Sequence, residues 1–478
     1  MDIPSTSFLV FAAIAACLFN LARADMWRQA VLLIANLLFL ASFVRHPAEL
    51  IPYVAFLAGG FGLIHLVRRG VPSALYAGSI LIVLFGFFWL KKYTFLPAAI
   101  FITSPYLLVG LSYVFFRVMH LVIDARHPED APPMGLFDYL NFTLNFTSLI
   151  SGPIQRYEDY RRTAVDAPLP LKATDFGVAL ERIVTGLFKI LVMAALISVL
   201  QRNFAYALLG DASWPARIGY GMGLAALYPV FLYFNFSGYT DFVIGVARFF
   251  RIELPENFDR PFTAASFIDY WNRWHMSLSN WLKTYVYNPL MTTMMRRVKN
   301  PALLPYAGAV ALFVTFFLIG AWHGRTTKFL FFGLLNGFGV AINQAYRIVM
   351  IKRLGRKRFA ELSGSRFYLF AGRGLTFAWV SFTLLWFWSD WPQLGEFATA
   401  MGPAGVLIGW ILFPAAAAVM LSGLIVLREG AFAAGRGGSS ILRSRYVRSV
   451  WLSSMVVFIL LVQGVMNAAP PEIVYKEF

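Results

Sequence analysis

Apolar runs of about 17 to 25 residues, the length that carries a helix across a hydrocarbon core of about 30 Å, recur from one end of the chain to the other. They predict helices near residues 6–22, 27–44, 49–67, 73–90, 97–123, 136–152, 176–200, 217–236, 304–321, 327–350, 368–390, 404–427 and 450–467. Two of these runs are flawed as spans. The 97–123 run is interrupted by Pro105 and Gly110, and the 136–152 run carries Asn141, Asn145, Thr143 and Thr147 ahead of Ser151-Gly152-Pro153. Lipid cannot satisfy the backbone of a broken helix, so such segments need protein or a water-filled cavity around them. The pattern therefore predicts an all-α polytopic membrane protein with about eleven true spans and additional re-entrant pieces. The first run, Ser5 to Leu21, lacks a basic n-region and a small-residue cleavage site, and is expected to be a retained helix rather than a signal peptide. No internal repeat is visible, which weakens a reading as an inverted-repeat transporter.

Between residues 235 and 290 the apolar pattern gives way to a mixture of polar, aromatic and charged residues. The segment holds Asn-Phe-Ser-Gly-Tyr-Thr-Asp at 235–241, Leu-Pro-Glu-Asn-Phe-Asp-Arg-Pro-Phe at 254–262 and Asp-Tyr-Trp-Asn-Arg-Trp-His-Met-Ser-Leu-Ser at 269–279. A helix from Ser266 to Tyr287 would be long enough to cross the core, but its polar load predicts that it lies in the interface or dips into the protein interior. On helical geometry Trp271, Trp274, His275, Leu278 and Leu282 share one face.

Composition agrees with the pattern: 59% of the 478 residues are hydrophobic and 14% charged, against about a quarter charged in soluble domains. One membrane domain, residues 1–478, is expected in place of several soluble ones. The formal charge of +17 does not point to nucleic acid, because the Lys and Arg residues fall in short loops between apolar runs. These loops are Arg68-Arg69, Lys91-Lys92, Arg156 to Arg162, Arg296 to Lys299, Arg347 to Arg358 and Arg436 to Arg448, and the positive-inside rule places them on the cytoplasmic side, next to membrane lipids. With Cys17 alone, the chain contains neither a disulfide nor a cysteine metal site.

Of the six histidines, His46, His65, His120 and His127 lie at helix ends or within apolar runs, where packing and local hydrogen bonds account for them. His275 and His323 differ. Each stands beside a tryptophan in an irregular setting at membrane depth, His323 within Gly320-Ala321-Trp322-His323-Gly324, and an ionisable residue there calls for a functional explanation. Histidine suits proton transfer near neutral pH, and apolar surroundings favour the neutral ring that accepts a proton from an alcohol. No third ligand stands at metal-binding spacing, so no metal site is expected. No Gly-x-Ser-x-Gly elbow supports a covalent serine mechanism. Asn235, Asp241 and Arg273 are further polar candidates, with Gln155 and Arg156 after the Ser-Gly-Pro break. Arg156 belongs either to a solvated loop or to a phosphate-facing mouth.

Four motifs together resemble the membrane-bound O-acyltransferase family: Tyr-Phe-Asn-Phe-Ser-Gly-Tyr-Thr-Asp at 233–241, Pro-Glu-Asn-Phe at 255–258, Trp-Asn-Arg-Trp-His-Met-Ser-Leu-Ser-Asn-Trp-Leu-Lys-Thr-Tyr-Val-Tyr at 271–287, and Gly-Ala-Trp-His-Gly at 320–324. Gly152-Pro153-Ile154 resembles a further element of the branch containing alginate O-acetylase membrane subunits and D-alanyl lipoteichoic acid transferases. The motif-bearing match covers about residues 135–340. The resemblance implies about eleven spanning helices and re-entrant helices around a central tunnel. It also implies a catalytic His323 with His275 as the second family histidine, and Trp322, Trp274 and Asn235 shaping the site. No bound cofactor is implied. A phosphopantetheine thioester, acetyl-CoA for an acetyltransferase, would serve as the donor substrate from the cytoplasm and a hydroxyl from the other side as acceptor.

Two departures stand out: Asn235 replaces the branch's usual Asp, and Asn272 precedes Arg273-Trp274-His275 where the branch tends to carry a second Arg. The expected protein is a multi-pass O-acetyltransferase of the bacterial inner membrane serving an extracytoplasmic polysaccharide, with an SGNH-type periplasmic or membrane-anchored partner and no nucleic acid. Acyl or D-alanyl transfer from a carrier protein to an envelope polymer is the alternative within the family. A transporter or flippase without chemistry is the alternative from another class, and a lipid-acylating member of eukaryotic type is a third.

Overall fold

A computed structural model describes residues 1, 3–127, 134–166, 172–437, 445–466 and 473–474. Residues 438–444 of the Arg436 to Arg448 loop lie outside the described residues. Among those described there are helices and no strands, with one isolated antiparallel bridge between Phe258 and Trp274. Among the described residues nine helices are long and apolar enough to cross a membrane, against about eleven expected, so the chain is a multi-pass membrane protein. The first two helices, of 16 and 17 residues, are shorter than that group.

The chain divides into two compact units. The first comprises Met1–Leu187, Phe236–Glu256 and Glu472–Phe478. It holds α1 (Thr6–Leu21), α2 (Asp25–Ala41), α3 (Ile51–Arg68), α4 (Ser73–Lys91), α5 (Leu111–Asp124), α6 (Leu136–Thr143), α7 (Tyr157–Arg161) and most of α8 (Ala173–Phe188). Its core is aromatic: Phe8 meets Phe39, Phe146 and Phe242 at ring centroids 5.6, 6.1 and 5.8 Å away.

The two runs with interruptions behave as their residues dictate. Apart from a single 3-10 turn at Ala98–Ile100, the 97–123 run becomes helical only from Leu111, after Gly110 in the left-handed region (φ 70), where a Cβ would press on the carbonyl oxygen of Leu149. In the 136–152 run, α6 ends at Thr143 and non-helical chain continues to Arg156. Arg117 of α5, fully buried, satisfies that chain by donating to the carbonyls of Phe142 (3.0 Å), Thr143 (2.8 Å) and Ser148 (3.1 Å) and to the Ser148 hydroxyl (2.7 Å). Asn36 of α2 donates to the side chain of Asn141 and accepts from the Phe146 amide at 2.8 Å.

The second unit comprises Phe188–Asn235 and Asn257–Pro471. It holds α9 (Ala195–Leu209), the earlier part of α10 (Trp214–Phe249), α11 (Phe267–Trp271), α12 (Met276–Leu282), α13 (Asn288–Arg297), α14 (Leu304–His323), α15 (Thr327–Gly364), α16 (Arg366–Trp388), α17 (Trp391–Gly437) and α18 (Arg445–Met466). α10 continues to Phe249, beyond the predicted 217–236 run, so Asn235 and Asp241 are helical residues.

The predicted helix Ser266 to Tyr287 is corrected. α11 ends at Trp271, the chain turns back so that Trp274 bridges Phe258, and a new helix begins at Met276. Trp271, Trp274 and His275 therefore do not share a helical face with Leu278 and Leu282. α14 and α15 meet backbone to backbone, because a Cβ on Gly320 would overlap the backbone of Gly333 and the carbonyl of Phe329. Gly320→Val is expected to destabilise the protein by about 1–3 kcal/mol, read as a lower thermal midpoint in detergent; an unchanged midpoint would count against this contact as a determinant of packing.

Candidate active site

His323 is the last residue of α14, 2% exposed, and Gly324 follows it in an extended conformation. A Cβ at position 324 would run into the Phe329 ring, so the glycine lets α15 begin directly against the histidine. The imidazole stands among aromatic faces. Its ring centroid lies 4.6 Å from that of Trp322, 5.7 Å from Phe332 and 5.1 Å from Phe387, the last two edge-on. These rings and the burial of the imidazole form a setting that excludes bulk water and strengthens any hydrogen bond made inside it.

His275, 1% exposed, also approaches that tryptophan, its ring 6.3 Å from Trp322. Its backbone is left-handed (φ 46, ψ 52), a conformation that costs an ordinary side chain about 1–2 kcal/mol. Asn257 compensates locally. Its carbonyl accepts the Met276 amide at 3.0 Å and its side-chain oxygen accepts the Ser277 amide at 3.1 Å, so the first amides of α12 are capped from a distant segment. Burial pushes the His275 imidazole from the ordinary 6.5 down to about 3, holding the ring neutral.

Trp274 is fixed by the bridge to Phe258, whose ring it meets at 5.0 Å, and stacks on Tyr270 at 5.6 Å. Arg273 turns to carboxylates: its Nε donates to Asp269 at 2.9 Å and its Nη1 lies 3.7 Å from Asp259. Asn235 is fully buried in α10, six residues after Pro229. The structure thus brings His275 and His323 each into ring contact with Trp322 within the second unit, with Trp274 adjacent to His275 in sequence.

Asp241 and Gln155 belong to the first unit, where each makes structural bonds. Arg182 of α8 donates to Asp241 from Nε (3.2 Å) and Nη2 (2.7 Å) and clamps Glu256, with Nη2 to Oε2 at 2.7 Å and Nη1 to Oε1. The Gln155 side chain donates to the Glu253 carbonyl at 2.8 Å. Arg182 and Asn257 were not singled out from sequence. Asn257 carried a signal, since it lies in the quoted Pro-Glu-Asn-Phe motif; a lone Arg182 carried none. His120 fits the packing role expected of it: its Nδ1 bonds the Phe116 carbonyl and its Nε2 accepts the Tyr157 amide at 3.2 Å. Among the described residues no three His, Cys, Asp or Glu side chains gather as a metal-ligand group. The second unit also holds an apolar groove of about 300 Å³, lined by Met222, Phe382, Trp386, Phe397, Met401 and Trp410.

Known proteins match this chain over its motif-bearing part. The sequence model of MBOAT, the membrane-bound O-acyltransferase family, matches residues 81–382. Teichoic acid D-alanyltransferase of Bacillus subtilis is 31% identical over 232 residues, 48% of this chain and 56% of the relative. Probable alginate O-acetylase AlgI of Pseudomonas fluorescens is 30% identical over 244 residues, 51% and 46% of the two chains. Peptidoglycan O-acetyltransferase of Helicobacter pylori is 32% identical over 245 residues, 48% and 44%. The chain thus spans about half the length of the curated relatives it matches.

The neutral His275 has a measurable consequence. Between pH 6.5 and about 3 the unfolded chain holds a proton on this ring that the folded protein refuses, so its contribution to stability falls as pH drops through that window. The slope is at most about 1.4 kcal/mol per pH unit. His275→Asn, which tolerates the left-handed backbone, is expected to flatten the acid side of the stability profile followed by thermal melts from about pH 7 to about pH 4. Identical profiles for variant and wild type would refute the neutral, buried ring.

Proposed function

The chain belongs to the membrane-bound O-acyltransferase family, and on that premise we propose that it transfers an acetyl group from cytoplasmic acetyl-CoA to a hydroxyl destined for an extracytoplasmic polysaccharide. The observation that carries the reading is His323: a buried imidazole at the end of α14, enclosed by Trp322, Phe332 and Phe387. As general base the neutral ring takes the hydroxyl proton while the alcohol oxygen attacks the thioester carbonyl. A tetrahedral oxyanion forms, the carbon–sulfur bond breaks, and the thiolate leaves with the proton returned by the imidazolium. Catalysis then amounts to holding two substrates against one base in a dry site.

His275 and Trp274 line the approach in this reading, and Asn235 and Arg273 support it. Asp241 and Gln155 act through the packing of the first unit. The acceptor is a serine on a periplasmic or membrane-anchored SGNH-type partner, which passes the acetyl group to the polymer, and the chain resides in the bacterial inner membrane with its basic loops cytoplasmic. The similarity to a protein named teichoic acid D-alanyltransferase favours one second reading, transfer of an acyl or D-alanyl group from a carrier protein to an envelope polymer.

Membranes containing wild type or His323→Ala, incubated with radiolabelled acetyl-CoA and the partner, test the proposal. His323→Ala is expected to lower transfer by about 10² to 10⁴-fold, the range of a lost general base, while inserting and folding like wild type. Undiminished transfer by the variant would remove His323 from the mechanism. Wild type inactive with acetyl-CoA but active with a carrier-bound acyl group would select the second reading.

A further inference from the structure

We propose that the cationic end of α15, together with the first turn of α16, is a docking surface for the headgroups of anionic phospholipids. From Thr327 to its break at Gly355, α15 runs 28 residues, about 42 Å of helix, whereas the hydrocarbon core is about 30 Å thick. Its last part must therefore emerge from the bilayer. The emerging part is where charge concentrates: residues 347–366 contain Arg347, Lys352, Arg353, Arg356, Lys357, Arg358 and Arg366 against the single acid Glu361. All seven cationic residues are exposed.

Charge alone would suit any acidic partner, but three structural features favour a lipid surface. Gly355 leaves helical geometry (φ 78, ψ 159), which redirects the chain in the middle of the cationic stretch. Phe359, after that break, packs on Tyr346, before it, at a ring distance of 6.3 Å, so the emergent segment is folded against its own helix rather than trailing into solvent. Among the cations stand apolar side chains turned outward: Leu354, Leu362 and, 80% exposed, Phe367. Interleaved cations and outward apolar residues suit the boundary between headgroups and acyl chains. Both helices flanking the segment are membrane-crossing candidates, so the headgroups are already at hand.

The test uses the full chain with Cys17→Ser and Leu362→Cys, labelled with an environment-sensitive fluorophore and placed in nanodiscs of phosphatidylcholine alone or mixed with phosphatidylglycerol. The expected result is a blue-shifted emission with phosphatidylglycerol and quenching by brominated phosphatidylglycerol at least about twofold stronger than by brominated phosphatidylcholine, both abolished near 1 M salt, where the screening length falls to about 3 Å. Neutralising Arg356, Lys357 and Arg358 to Gln should remove the preference, and the salt titration of the unneutralised protein gives the same answer if that variant does not fold. Equal quenching in the two bilayers, or a preference that survives high salt, overturns the proposal. So does a fluorophore buried only when an acidic soluble protein is added to neutral nanodiscs, which would assign the surface to a protein partner.

Discussion

A backbone that leaves helical geometry in an apolar surround must find its hydrogen bonds inside the protein, and the arrangement of both units depends on how this is done. In the first unit the chain after Thr143 is served by the guanidinium of Arg117 and the side chain of Asn36. In the second, the amides that open α12 are served by Asn257. Each of these donors or acceptors lies about 20 residues or more away in sequence, so the irregular segments are held by tertiary bonds in addition to their own turns, such as the Ser148 amide to the Asn145 carbonyl. Losing one such partner would leave several buried polar groups unsatisfied together, which is why a single side chain matters so much here.

The candidate site rests on that support. His275 can occupy a left-handed backbone, with its ring 6.3 Å from Trp322, because Asn257 caps the helix that begins after it. His323 owes its position to the small residues on either side of it. Gly320 lets α15 touch α14, and Gly324 lets Phe329 sit where a side chain would otherwise stand. The rings of Trp322, Phe332 and Phe387 then enclose the imidazole, which is 2% exposed.

Much of this was legible in the sequence. The spanning helices were visible because apolar side chains must face lipid for about 20 residues at a stretch, a constraint that leaves a long and unambiguous trace. The burial of His323 at a helix end was legible because Gly320 and Gly324 mark a close approach and a turn at the end of such a run. The break between Trp271 and Met276 was not: local periodicity there fits a continuous helix, and what breaks it is the pairing with Phe258 and the cap from Asn257, neither of which has a periodic signature. The pairing of Asp241 with Arg182 was hidden for the same reason, since 59 residues separate the two partners. Arg273, singled out from the sequence as a polar candidate, is engaged by Asp269 and Asp259, partners that a linear reading of the chain does not assign to it.

The left-handed backbone at His275 also limits how this corner of the protein can drift through generations. A replacement must satisfy two filters at once, tolerating a conformation that glycine, asparagine and aspartate adopt with ease and fitting a cage built for an imidazole. Branched residues fail the first filter, and glycine passes it only by emptying the cage. The position therefore has few neutral neighbours in sequence space, and its histidine is held by geometry even before any demand of chemistry is added.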